Sequence, residues 1–128
     1  MDKIRILVVD DDPFCSSLLL SILGDDYQVT TVNSGLDVID ISTVQKPDCI
    51  FLDIMMPEKN GYQVLKELKD NPLTTAIPVV IVSGLAEDSD QDLGLRLGAS
   101  GYIGKPINPA EVFRVLKECK CNTALDSK

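Results

Sequence analysis

Four apolar runs in this chain each give way to a group that can do polar chemistry. Ile4–Val9 leads into Asp10, Asp11 and Asp12; Cys49–Leu52 into Asp53; Val79–Val82 into Ser83 and Gly84; Gly101–Gly104 into Lys105. Histidine is absent from the chain. Carboxylates gathered without histidine or thiolate make a hard, oxygen-rich site that repels itself unless a cation is present. Mg²⁺ suits such a site best, because it takes a few carboxylates together with water and phosphate oxygens. One amine and one hydroxyl nearby add the means to hold phosphoryl oxygens, so phosphoryl transfer is the chemistry to expect. Asp53 is the candidate nucleophile, since a carboxylate can attack phosphorus once metal and lysine offset the incoming charge. Lys105 and Ser83 are the candidate ligands of the phosphoryl oxygens.

Taken singly, these residues have plainer readings. Asp12 before Pro13 is a helix N-cap, Ser83 a turn hydroxyl, Lys105 a surface lysine and Tyr102 an edge-strand aromatic. Asp10 and Asp11 differ, because two acids ahead of an N-cap acid add nothing to the helix. It is the convergence of all of them on one edge that favours a site.

That convergence depends on the elements. The runs Ile4–Val9, Tyr27–Val32, Cys49–Leu52, Val79–Val82 and the weaker Gly101–Gly104 are strand-length. Between them, Phe14, Leu18 and Ile22, then Val64, Leu65 and Leu68, and last Val112, Val115, Leu116 and Cys119 recur at helical spacing. Helix starts are marked by Asp12–Pro13 and by Asn108–Pro109 with Glu111, and the pairs Ser34/Asp37, Asn60/Gln63 and Ser89/Asp92 follow capping-box spacing. Gly24 and Gly98 stand where helices should close. Gly94, inside the expected fourth helix, weakens it by up to about 1 kcal/mol and suggests a mobile segment. The acidic stretch Glu87–Asp92 reads as a solvated helix start favoured by the helix dipole. A (βα)₅ alternation with short connections implies a parallel sheet with helices on both faces, and all strand ends then lie along one edge, where ligands of such sheets bind.

The chain has 128 residues, enough for one domain, expected over 1–121 with a flexible tail at 122–128. Hydrophobic residues make up 45% but aromatic ones only 5%, with no tryptophan, so the core must be aliphatic. A net charge of −8 argues against direct binding of nucleic acid. Cys15, Cys49, Cys119 and Cys121 lack zinc-site spacing; the first two read as core residues of a reduced, cytoplasmic protein, and the others could crosslink only artefactually. No apolar run approaches the ~18 residues of a membrane span, so neither membrane insertion nor export is expected.

The segments ILVVDDDP (Ile6–Pro13), LDIMMPEKNGYQVL (Leu52–Leu65), VVIVSG (Val79–Gly84) and GASGYIGKP (Gly98–Pro106) resemble a response regulator receiver domain of two-component signal transduction, each motif at its place in the βα order. The resemblance implies a three-layer, doubly wound, flavodoxin-like α/β fold with a five-stranded parallel sheet of order 2-1-3-4-5. By position, Asp10 and Asp11 match the metal-binding acids and Asp53 the phosphoacceptor, with the backbone carbonyl of Met55 completing the protein's Mg²⁺ ligands. Ser83 matches the hydroxyl that follows the phosphoryl group, Tyr102 the aromatic that changes rotamer with it, and Lys105 the amine that pairs with its oxygens. The Lys105–Pro106 peptide is expected to be cis. Pro57 and Gly61 should shape the loop after Asp53.

The resemblance also implies partners. A sensor histidine kinase or histidine phosphotransfer protein would donate the phosphoryl group. A downstream protein or a fused output domain would read the fourth helix, fifth strand and fifth helix. The chain is expected to be a monomer, with dimerisation on phosphorylation left open, and either a stand-alone receiver or one cut from a longer regulator. It is not expected to be an enzyme beyond catalysing its own phosphorylation and dephosphorylation. Met55 and Leu85 are apolar where the best-known chemotaxis receivers place polar side chains near the hydrolytic water, which suggests slow self-dephosphorylation.

Three rival readings are weaker. Asp10-Asp11-Asp12-Pro13-Phe14 imitates the DxDx[TV] motif of aspartate-nucleophile phosphatases, but Phe14 is wrong for its last position and no cap domain is evident. GYIGKP lacks the Ser or Thr and the upstream glycine of a phosphate loop. A receiver-like adaptor that works without phosphorylation would not need Asp10, Asp11, Asp53, Ser83 and Lys105 together.

Overall fold

Every strand-length run forms a strand, and the helically spaced segments form helices that cover them. The computed structural model describes residues 4–54, 56, 60–84, 88–105 and 107–118. Strands β1 (Ile4–Val9), β2 (Tyr27–Val32), β3 (Cys49–Asp53), β4 (Val79–Ser83) and β5 (Gly101–Gly104) alternate with helices α1 (Pro13–Leu23), α2 (Val38–Gln45), α3 (Gly61–Asp70), α4 (Asp88–Arg96) and α5 (Pro109–Glu118). All strand pairs are parallel. The sheet order is β2-β1-β3-β4-β5, as expected. The chain leaves β1 for one edge and returns across it to β3, so β1 and β3 flank the point where strand order reverses.

Strand periodicity sorts the core into two layers. Ile6, Val8, Phe51, Val80, Val82 and Ile103 pack with Leu19 and Leu23 of α1 and Val112 and Leu116 of α5. Leu7, Val9, Ile50, Leu52 and Ile81 pack with Val38 of α2 and with Val64, Leu65 and Leu68 of α3. Each fully buried aliphatic side chain of this kind is worth about 1.5–3 kcal/mol, which is what lets the fold tolerate acids crowded on one edge. Cys15 and Cys49 are buried, free thiols, as expected. Among the described residues, no helix is long and apolar enough to cross a membrane.

Several boundaries differ from expectation. β3 and β4 run one residue further, taking in Asp53 and Ser83, because Asp53 stands in register with Val82 and Ser83 with Gly104. The two reactive groups are therefore strand residues. The Asn60/Gln63 capping box is complete, with bonds of 3.0 and 3.2 Å. The Ser34/Asp37 pair does not form one: Ser34 caps a short 3₁₀ turn, Gly35–Asp37, through Leu36 N–H, and Asp37 makes no side-chain cap. α4 begins at Asp88, so Ser89 lies inside its first turn rather than ahead of it. Gly24 and Gly98 both take positive φ at helix ends, and so does Lys46, which pattern alone did not mark.

Gly94 also has a packing role, beside its cost to the helix. A Cβ there would collide with Cδ1 of Ile81, so the missing side chain lets α4 close on β4. Cys119, Cys121 and the tail at 122–128 lie outside the described residues, as do Glu87, Pro57, Leu85 and Pro106, and with the last the cis peptide at Lys105–Pro106.

Candidate functional site

Period-two alternation sets where the reactive groups stand. Asp10, Asp53 and Lys105 each follow by two positions a residue of the α1/α5 layer, namely Val8, Phe51 and Ile103. Ser83 and Tyr102 have the opposite parity and share the layer of Ile81, which is in register with Tyr102. Acids and lysine thus belong to one side of the sheet's edge, hydroxyl and aromatic to the other.

Asp10 continues the line of β1, its N–H bonded to the carbonyl of Val32 at 3.0 Å. Its side chain is 2% exposed, and Oδ1 accepts from the N–H of Asp12 at 2.8 Å. Asp12 in turn caps α1, Oδ1 accepting from Phe14 N–H at 3.0 Å. Asp53, 3% exposed, ends β3. The start of α3 comes close to it, and Gly61 allows this: its N–H bonds the carbonyl of Ile54 at 2.9 Å, and a Cβ there would strike the carbonyl oxygen of Asp53. Gly61 therefore serves the site through backbone proximity, as expected.

Lys105 is anchored by its N–H on the carbonyl of Ser83 at 2.9 Å. Its Nζ stands 3.4 Å from Asp10 Oδ2 and 3.4 Å from Asp53 Oδ1. These are longer than charge-assisted hydrogen bonds of about 2.8 Å, so the amine is held between two anions without being tied tightly to either. Burial alone pulls the Lys105 ammonium down, but the carboxylates of Asp53 and Asp10 outweigh it and hold the amine above its ordinary value of 10.5. The lysine is a fixed cation.

Asp10, Asp11 and Asp53 each place an oxygen within 4.8 Å of the others, with Asp11 exposed and the other two buried. Among the described residues, Asp10 Oδ2 has no hydrogen-bond donor; its attraction to Lys105 is an ion pair of 3.4 Å. The Lys105 ammonium pairs with two of these three carboxylates, Asp10 and Asp53. An all-oxygen set with a buried, undonated carboxylate oxygen fits a small hard cation such as Mg²⁺. Met55, whose carbonyl was expected to complete the set, lies outside the described residues.

Ser83 is buried at the end of β4, next in the ladder to Gly104 and so beside the backbone that carries Lys105. Tyr102 is half-buried against the α2/α3 layer, two positions back along β5 from Gly104. An open groove of about 710 Å³ runs from Asp10 and Asp11 along α1, past Ser16, Ser17, Leu20 and Asn33.

Cys15 was expected to be core alone, and it is more than that. Its Sγ lies 3.5 Å from Asp12 Oδ2. Burial pushes its thiol up, Lys105 pulls it down, and Asp10 pushes it up again, so it sits in the field of the site. The signal in the sequence was its place one turn into the helix that Asp12 caps.

Residues 6–117 match the family model described as response regulator receiver domain. The chain is 39% identical to response regulator PleD of Caulobacter vibrioides over 85% of its own length and 24% of that protein. It is 34% identical to protein PilH of Pseudomonas aeruginosa over 88% of its length and 93% of that protein. Among solved structures, the receiver domain of sensor histidine kinase PA1611 of Pseudomonas aeruginosa, with a magnesium ion coordinated in its active site cleft, superposes with a TM-score of 0.83. It has 25% identity and covers 93% of this chain and 99% of that one. The chain thus spans about a quarter of the length of some curated relatives and nearly all of another.

Proposed function

The chain belongs to the response regulator receiver domain family of two-component systems, and from that premise we propose that Asp53 is its phosphoacceptor in a Mg²⁺-dependent reaction. The observation that carries this is the arrangement at the end of β3: a buried Asp53 within 4.8 Å of two further carboxylates and 3.4 Å from the Lys105 ammonium.

The donor is a phosphohistidine on a sensor histidine kinase or histidine phosphotransfer protein. An Asp53 carboxylate oxygen forms the new bond to phosphorus as the P–N bond breaks, its electron pair returning to the imidazole. Lys105, already a cation between Asp10 and Asp53, is placed to receive a phosphoryl oxygen without moving far. Ser83 supplies a hydroxyl from the neighbouring strand, and Tyr102, on the same side of the sheet as Ser83, is suited to report the change to the surface. Asp10, Asp11 and Asp53 would hold Mg²⁺, with Met55 as a further ligand, and the bound ion offsets the charge of carboxylates and phosphoryl oxygens together.

The reading makes the protein a cytoplasmic switch, not an enzyme acting on other substrates. The phosphoryl group alters a face read by a downstream protein or a fused output domain; PilH and PleD show that relatives exist at both lengths. The apolar Met55 and Leu85 favour a phosphoryl group that persists for longer than seconds, which a dephosphorylation time course tests directly.

The test of the main reading uses acetyl phosphate and Mg²⁺ with intact-mass measurement. Wild type should gain one acid-stable, base-labile phosphoryl group, and Asp53→Asn none. Turnover of a phosphate ester without an adduct would favour the phosphatase alternative. No adduct and no turnover would favour an adaptor that works unphosphorylated.

A further inference from the structure

We propose that Asp12 is a positioning residue for Asp10: by capping α1 it holds its own backbone N–H against Asp10 Oδ1, and so aims Asp10 Oδ2 at Lys105 and the cation site. This rests on the phosphoacceptor reading above. A carboxylate tied at one oxygen cannot rotate freely. Asp10 is tied by the 2.8 Å bond from Asp12 N–H, and its other oxygen, which receives no hydrogen bond from the described residues, is the one 3.4 Å from Lys105 Nζ.

What keeps the Asp12 N–H in place is the start of α1. Asp12 is extended, at φ −93° and ψ 110°, with Oδ1 accepting from Phe14 N–H at 3.0 Å and Oδ2 3.5 Å from Cys15 Sγ. Pro13, the first helical residue, has no N–H to compete for the cap and presets φ for the helix. Both Asp12 oxygens are thereby engaged by its own helix, and Asp12 is not among the acids whose oxygens converge. It acts through geometry, whereas Asp10 and Asp11 act through charge at the site.

The two readings of Asp12, as helix cap alone or as cap in series with Asp10, separate in one set of variants. Mg²⁺ affinity is measured by calorimetry on wild type, Asp12→Ala, Asp12→Asn and Asp12→Ser, with the melting temperature of each. Asn and Ser keep a capping oxygen and lose the charge. Asp12→Ala should bind Mg²⁺ roughly tenfold more weakly, the lower end of what removing an orienting partner of a metal ligand costs. Asp12→Asn and Asp12→Ser should stay within about twofold of wild type.

Equal weakening in all three variants would make the charge responsible and overturn the proposal. A lower melting temperature in Asp12→Ala with unchanged Mg²⁺ affinity would reduce Asp12 to a structural cap and overturn it as well. Hydrogen exchange of the wild-type protein without metal needs no variant: the Asp12 amide should be protected, and exchange at the rate of an unbonded exposed amide would sink the idea. Failure of wild type itself to bind Mg²⁺ would instead overturn the phosphoacceptor reading, and this inference with it.

Discussion

Two half-buried lysines, Lys105 and Lys69, lie at opposite edges of the sheet and carry opposite electrostatics. Lys105 faces two carboxylates at 3.4 Å, and they hold its ammonium above the ordinary range despite burial. Lys69, near the end of α3, donates to the backbone carbonyls of Thr75 and Ile77 at 3.1 and 2.8 Å, on the approach to β4. Its contacts are shorter, yet burial pushes it down. Neutral carbonyls, however well placed, do not replace the water that a buried cation loses, whereas two anions at longer range do. The difference teaches what sets a site apart from a brace: Lys69 ties a loop to a helix, while Lys105 is a standing charge with room left around it.

The largest effect should come from making the same substitution at both positions. Lys105→Met should slow phosphorylation by acetyl phosphate about a hundredfold, the usual cost of losing a charge aimed at the transferring group. Lys69→Met should leave that rate within about twofold, because it touches only the far edge. Equal losses in the two variants would break the comparison.

Stability is the second arm. Lys69→Met removes a desolvated charge but also the donor to two carbonyls, and the offsetting terms should leave a change within about 1 kcal/mol in urea unfolding. A loss several times larger would show that the two carbonyl bonds outweigh the burial of the charge.

A smaller, more local effect concerns the field around Lys105. The carboxylates of Asp53 and Asp10 both raise this lysine, so Asp53→Asn should lower its titration, followed by NMR of the side-chain nitrogen. A Lys105 signal that titrates as in wild type would mean that Asp10 alone holds the cation.

The smallest effect is in alkaline unfolding. Lys105 is raised in the fold, so its contribution to stability is whole below its unfolded value of 10.5 and is lost as pH climbs through the folded one. Lys69 is lowered, so its burial costs stability below its folded value, and that cost fades as pH rises towards 10.5. As pH rises towards 10.5, wild type should gain relative to Lys69→Met, and as it rises past 10.5 wild type should lose its advantage over Lys105→Met. Slopes of the same sign would refute the assignment.

Much of this was legible without coordinates. The strand runs, the parallel order and the edge that collects Asp10, Asp53, Ser83 and Lys105 follow from alternation and from the motif resemblance. Local bonding was less legible. The Asn60/Gln63 box formed; Ser34 caps the 3₁₀ helix Gly35–Asp37 that leads into α2, without a capping box, and Ser89 falls inside a first turn that begins at Asp88. Gly94 and Cys15 each carry a role that local pattern did not show, because each has a neighbour distant in sequence, Ile81 for the first and Lys105 for the second.

The sequence by itself determined which chemistry this protein can attempt, because residue types and the period of apolar residues decide which groups reach one sheet edge. Only the tertiary structure decided how those groups meet. The 3.4 Å spacing of Lys105 from the carboxylates of Asp10 and Asp53 depends on packing between segments far apart in the chain. Distances of that kind are set by the close fit of helices on the sheet, where a single Cβ at Gly61 or Gly94 would be too much, and no local pattern encodes them.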